Sequence, residues 1–133
     1  MEVMGLLPVS SIYIALSLVL TILLSINVVR NRVRYKIDML HGDNVEMLKA
    51  LRAHGNNIEY VPFALIGLAA MELMAAPATM LHICGGVLVV GRLFHAQGLY
   101  HSTGTSMGRM VGTMATWLVI LFIAGYLLYA AFT

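Results

Sequence analysis

A chain of 133 residues that is 60% hydrophobic and only 11% charged, with a mean hydropathy of +0.88, carries more apolar surface than one soluble domain of that size buries. This excludes an ordinary soluble enzyme and points to a bilayer, and a net charge of +2 without a soluble basic domain excludes nucleic-acid binding. The single cysteine, Cys84, excludes an internal disulfide and any cysteine-rich metal centre.

A hydrocarbon core of about 30 Å takes roughly 20 apolar residues per helix. The first such stretch runs from Leu6 to Val29. It has no basic region ahead of it, exceeds the length of a signal-peptide core and is followed by charge, so it reads as a retained span rather than a cleaved signal. Arg30, Arg32, Arg34 and Lys36 follow at once and form a basic collar, with Lys49 further on and only Glu2 ahead of the span. The positive-inside rule then places the first and third connections in the cytosol and both termini outside it.

After a polar run from Asp38 to Asn44 the second helix begins. Asp43 and Glu46 stand like an N-cap and its N3 partner, and Leu48, Leu51 and Ile58 keep an apolar side going, so the short span Tyr60 to Ala76 continues a helix that starts near Val45. Pro62 inside it removes a backbone donor and crowds the carbonyl of Ile58, which predicts a bend; a tolerated kink and a functional opening fit the pattern equally. Pro77 marks a short turn before the third span, Thr79 to Leu99, in which Cys84 reads as a packing residue. The polar run His101 to Gly108 leads through Ser106, a candidate cap, into the fourth span, Met110 to Phe132. The expected fold is an all-α integral membrane protein, one four-transmembrane-helix bundle over residues 1–133.

In this topology the unusual residues meet at one end. At 3.6 residues per turn Arg52, Asn56 and Glu59 share a narrow stripe on helix two, with Tyr60 beside it. Helix three reaches the same level near Arg92 and His95, Arg109 opens helix four there, and Arg30 closes helix one there. Each has a plain alternative: Arg52 and Arg109 reach to lipid headgroups, and His95 bonds between helices. Glu59 is harder to set aside. An acid at mid-bilayer costs roughly 2.5–3.5 kcal/mol on insertion scales, so it should face a cation, with Arg52 or Arg92 best placed, as a ligand site or as a structural tie. No second histidine or cysteine stands beside His95 at ligand spacing, and the ten methionines form no array with a histidine, so no metal is expected. Glu72 and His82, flanking Pro77, read as a surface pair at the opposite end without chemistry.

The segment LRAHGNNIEYVPF, Leu51 to Phe63, and the segment VGRLFHAQGLY, Val90 to Tyr100, resemble the helix-two and helix-three motifs of the membrane-associated proteins in eicosanoid and glutathione metabolism, and among them the small uncharacterised bacterial inner-membrane members. The resemblance covers most of the chain. It implies a homotrimer of four-helix subunits holding glutathione between neighbours near the cytosolic face. Arg52, Asn56, Glu59 and Tyr60 would then hold the tripeptide, with Arg30, Arg92 and His95 at further contact positions and Arg109 as the catalytic arginine that favours the thiolate. The charges of the ligand fit independently: two carboxylates and one ammonium call for more cations than anions and at least one acid. Family members often carry a tyrosine one turn after the position of His95, where this chain has Leu99, with Tyr100 next to it. Arg109 lies about one residue from the family's arginine.

Three functions are weighed. The first is a glutathione transferase or peroxidase that delivers the thiolate to a lipophilic electrophile or hydroperoxide arriving through the bilayer. The second is a glutathione-binding or structural membrane protein without catalysis. The third, a small proton-coupled exporter, needs a membrane acid in its first helix, and Leu6 to Val29 offers none. Gly108 and Gly112 form a small-xxx-small pair suited to close helix packing, and Gly85, Gly86 and Gly91 thin helix three.

Overall fold

The computed structural model describes residues 5–133, and Glu2 lies outside them. Four helices follow in chain order: α1 (Pro8–Tyr35), α2 (Val45–Leu73), α3 (Ala78–His101) and α4 (Met107–Phe132). By length and composition α1, α3 and α4 are apolar enough to cross a membrane. The fourth candidate, α2, differs from the expectation of four equivalent spans. Its apolar part begins only at Tyr60 and is broken by Glu72, while Glu46, Lys49, Arg52 and Glu59 occupy its first half. At 1.5 Å per residue its 29 residues are nonetheless about 43 Å long, enough to run the depth of the bundle.

The helix limits follow local chemistry. Proline stands at the first position of α1, where its missing N–H costs nothing, and α1 ends where Lys36 turns left-handed at φ 54°. The expected cap of α2 is corrected by one residue. Asp43 is left-handed at φ 56°, whereas Asn44 is extended and its side chain accepts the N–H of Met47 at 2.8 Å. Glu46 therefore falls at the second helical position and pairs with Lys49 at 2.8 Å instead. Pro62 is accommodated within a continuous α2. Ser106 caps α4 as expected, accepting the N–H of Arg109 at 3.3 Å.

The core lies toward the end of the bundle that holds Pro77. Leu68, Met71, Leu81, Cys84, Leu88 and Ile123 are buried together there, which makes Cys84 the packing residue the sequence suggested. Two close approaches set the spacing. A Cβ at Gly85 would overlap the Tyr13 ring, so α1 lies against the thinnest part of α3. A Cβ at Gly112 would overlap the Gly91 carbonyl oxygen and come within 2.7 Å of His95 Cβ and 2.8 Å of His95 N, so the α3 and α4 backbones touch. The small-residue pairing thus works within the chain, between α3 and α4.

The Glu72 and His82 pair is also corrected. α1 has no capping side chain of its own, and the Glu72 carboxylate supplies one from α2, accepting the N–H groups of Val9 at 2.8 Å and Ser10 at 2.7 Å. His82 bonds instead to the Tyr13 hydroxyl, with 2.9 Å from Nδ1 to Oη, and the two rings meet edge to face. Orphan amides at a helix start attract a carboxylate more strongly than a solvent-exposed imidazole does.

Two stability outcomes are expected. Gly112→Ala forces the α3 and α4 backbones apart and should lower stability by about 1–3 kcal/mol, the usual cost of overpacking, seen as a lower melting temperature in detergent. Glu72→Ala should cost about 0.5–2 kcal/mol, the range for losing a helix cap, and should raise amide exchange at Val9 and Ser10 ahead of the rest of α1.

Candidate functional site

At the other end α2, α3 and α4 enclose a groove of about 590 Å³. Arg52 and Asn56 reach it from α2 because they stand four residues apart, one helical turn, on the side facing α4. His95 and Leu99 reach it from α3 at the same spacing. Arg109 reaches it from the first turn of α4, where the Ser106 cap fixes the start of the helix. Its guanidinium donates through Nη1 to the Gly104 carbonyl at 2.7 Å, which holds the α3–α4 connection against the groove mouth. Two cations, an amide and an imidazole therefore surround one space, and no acid lines it.

Arg92 occupies a different place. It is 2% exposed and does not line the groove. Its Nη2 donates to Asn56 Oδ1 at 2.7 Å and lies 3.3 Å from His95 Nδ1, so it stands behind both groove residues and joins α3 to α2. Its Nε and Nη1 are buried without a hydrogen-bond partner among the described residues.

The expected ion pair of Glu59 with Arg52 or Arg92 does not form within the chain, where Lys49–Glu46 is the salt bridge among the described residues. Asn56 takes the guanidinium instead. Three residues further on, Glu59 is rotated by about 60° from Asn56 and faces outward, exposed on α2. Tyr60 is half-buried beside it and does not line the groove. Arg30 is likewise not brought into the groove. It is exposed and lines a second depression, about 460 Å³, along the last turns of α1 with Asn27, Asn31 and Arg34. Of the residues singled out, the bundle therefore gathers Arg52, Asn56, His95 and Arg109 around one space, keeps Arg92 behind them, and leaves Glu59, Tyr60 and Arg30 outside.

The long wall of the groove had not been recognised from sequence. Met110, Thr113, Met114 and Trp117 line it from α4. Their spacing is the signal that could have found them: starting from Arg109, the next positions on one helical face are 110, 113, 114 and 117. In a helix apolar on every side, that face is marked only by the polar residue that opens it. Asn57 was also passed over. It is 1% exposed and donates to Thr21 Oγ1 at 3.0 Å, a polar tie from α2 to α1. Adjacent asparagines point about 100° apart on a helix, so Asn56 serves the groove while Asn57 serves the face packed on α1.

The groove thus has a cationic, donor-rich end and a largely apolar wall of methionines and one tryptophan, with the Thr113 hydroxyl among them. Such a space suits a molecule with an anionic part and a polarisable or apolar part.

The sequence matches the model of the MAPEG family over residues 10–129. It is 40% identical over 113 residues to inner membrane protein YecN of Escherichia coli (strain K12), covering 85% of this chain and 85% of that protein. The same identity and coverage hold for inner membrane protein YecN of Escherichia coli O6:H1 (strain CFT073). The match runs from the first turn of α1 to near the end of α4, across every element that builds the groove, and the chain belongs to the MAPEG family.

Proposed function

We propose that this protein is a glutathione-dependent enzyme of the inner membrane, a transferase or peroxidase that presents the thiolate to lipophilic electrophiles or hydroperoxides. The family includes glutathione-dependent enzymes, and the inner-membrane location comes from the name of the similar Escherichia coli protein. The observation that carries the reading is the convergence of Arg52, Asn56, His95 and Arg109 on one groove whose long wall on α4 is mostly methionine and tryptophan.

The residues present fit glutathione. Its carboxylates match the Arg52 guanidinium and the amide and imidazole donors, which leaves the Arg109 guanidinium for the sulfur. Its ammonium needs an acid, which the groove of a single subunit lacks. Glu59, exposed on α2, and Arg30, exposed on α1, would be added by assembly: in the proposed homotrimer a neighbour's α1 covers the outer side of the stripe, and Tyr60 lies at that seam. The basic collar at the end of α1 and Lys49 on α2 orient this end of the bundle to the cytosol, where glutathione is met, and put both termini outside.

When bound, glutathione supplies the sulfur nucleophile. Arg52 anchors a carboxylate, Asn56 and His95 donate to the same end of the ligand, and Arg92 holds those two in place. Arg109 is the one groove cation on α4, and it stands between the donor-rich end and the methionine wall. A guanidinium there favours the thiolate over the thiol. Met110, Met114 and Trp117 exclude water from the sulfur and accept the apolar partner. The transferase reaction would join the sulfur to an electrophilic carbon, with departure of a leaving group or protonation of the adduct, and the peroxidase reaction would reduce a hydroperoxide to an alcohol and water while two glutathione molecules are oxidised to the disulfide.

A binding protein without catalysis is favoured by one contact, the Arg109 guanidinium bond to the Gly104 carbonyl. If that bond persists with ligand present, the arginine closes the loop rather than activating sulfur. Titration of the detergent-solubilised protein with glutathione, followed by thiolate absorbance in the ultraviolet, separates the cases. Binding with thiolate supports the enzyme, binding without it supports the binding protein, and no binding removes both. Arg52→Ala should weaken affinity about 10–100-fold, as expected for the loss of a hydrogen-bonded charge. Arg109→Ala should keep affinity within a few-fold and abolish the thiolate signal; the reverse pattern would overturn the assigned roles.

A further inference from the structure

The buried Arg92 makes two contacts that reach the groove only through other side chains. A guanidinium has donors and no acceptor, so each group facing it must offer a lone pair. Asn56 meets Nη2 with Oδ1 at 2.7 Å. Because the amide is planar, its Nδ2 then lies on the other side, and Asn56 is also part of the groove wall. His95 meets the same Nη2 with Nδ1 at 3.3 Å. That nitrogen can only accept, so the ring carries its proton on Nε2, and His95 too is part of the groove wall. Arg92 itself is 2% exposed and stays behind them.

We propose that Arg92 is a positioning residue that turns Asn56 and His95 into hydrogen-bond donors, so that they join Arg52 and Arg109 in a set of four donor groups that favours an anionic group. Arg52 and Arg109 are donors without acceptors already. With Asn56 presenting Nδ2 and His95 presenting Nε2–H, these four side chains from α2, α3 and α4 carry the same hydrogen-bonding sense, while the hydroxyls of Thr105, Ser106 and Thr113 that also line the groove can donate or accept. Left to itself, a neutral histidine takes either tautomer and an asparagine amide takes either orientation. A groove with one flipped group would hold an acceptor against a carboxylate. Arg92 removes both choices with one guanidinium, and Asn56 and Arg92 are held on different helices, so the arrangement depends on α2 packing against α3. The inference deepens the function proposed above by naming the class of group the site takes, a carboxylate or comparable anion, and rests on that reading only for which anion it is.

The tautomer can be read with no ligand present. Protein labelled with ¹⁵N-histidine, reconstituted in bilayers, is examined by solid-state NMR, with the His95 signals assigned by their loss in His95→Gln. The expected spectrum shows Nδ1 as the unprotonated ring nitrogen and Nε2 as the protonated one. In Arg92→Met, which removes the donors, the Nδ1-protonated form should rise to a comparable population, and Arg92→Lys should restore the original form. A protonated Nδ1 in the unaltered protein overturns the proposal, as does an unchanged His95 spectrum in a folded Arg92→Met variant. If Arg92→Met fails to fold, the unaltered protein and Arg92→Lys still decide it. Failure of glutathione to bind would sink the proposed function while leaving this measurement decisive.

Discussion

Where the backbones of α3 and α4 touch, at Gly91 and Gly112, the position of every groove residue is determined. Gly112 lies against His95, so the imidazole is held at a fixed height on the inner wall. From that contact α4 runs one way to Arg109 and the Ser106 cap, and the other way past Thr113, Met114 and Trp117. Larger side chains at the crossing would widen the bundle and carry Arg109 away from Arg52. Two residues without side chains therefore decide whether two cations on different helices share one space. In an apolar surrounding no hydrophobic force distinguishes one helix face from another, and contacts of this kind carry the packing.

The polar groups are divided between the two ends of the bundle, and each end is tied differently. Near Pro77 the Glu72 carboxylate occupies the open amides of α1, which links α1 to α2 through backbone donors. At the groove end Arg92 links α3 to α2 through side chains alone. The first tie is closed, since both carboxylate oxygens are engaged and the amides of Val9 and Ser10 have their partner. The second is open, with Nε and Nη1 of Arg92 buried and unpartnered. Buried donors without partners are costly; Arg92 keeps two of them beside the groove, against one unpartnered hydroxyl, that of Ser10, at the Glu72 end, so more of the unused hydrogen-bonding capacity lies at the groove.

How far these features could be read in advance depends on which kind of information each needs. The helices were legible because hydrophobic runs, Pro8, Pro77 and Ser106 act locally. Their limits missed by a few residues where the backbone chose, as when Asp43 went left-handed and passed the cap of α2 to Asn44. The meeting of Arg52, Asn56, His95 and Arg109 was legible because topology brings one end of each helix to the same level. The α4 wall was not, since in a helix that is apolar all round the periodicity carries almost no contrast.

The stripe on α2 marks the limit most clearly. Spacing puts Arg52, Asn56 and Glu59 within one narrow sector, and electrostatics alone would turn the acid toward the buried cation. The sector instead straddles the edge of the bundle, with Asn56 inside and Glu59 outside. A neutral amide reaches Arg92 at 2.7 Å while the rotation of α2 is set by packing further along, where Ala53, Asn57, Val61, Ala64 and Leu68 are buried. Those five positions, at spacings of four, four, three and four, fix the inward face of α2. Glu59 lies about 160° from Asn57 on the helical wheel, nearly opposite it, so no charge attraction could bring the carboxylate inward without unpacking that row.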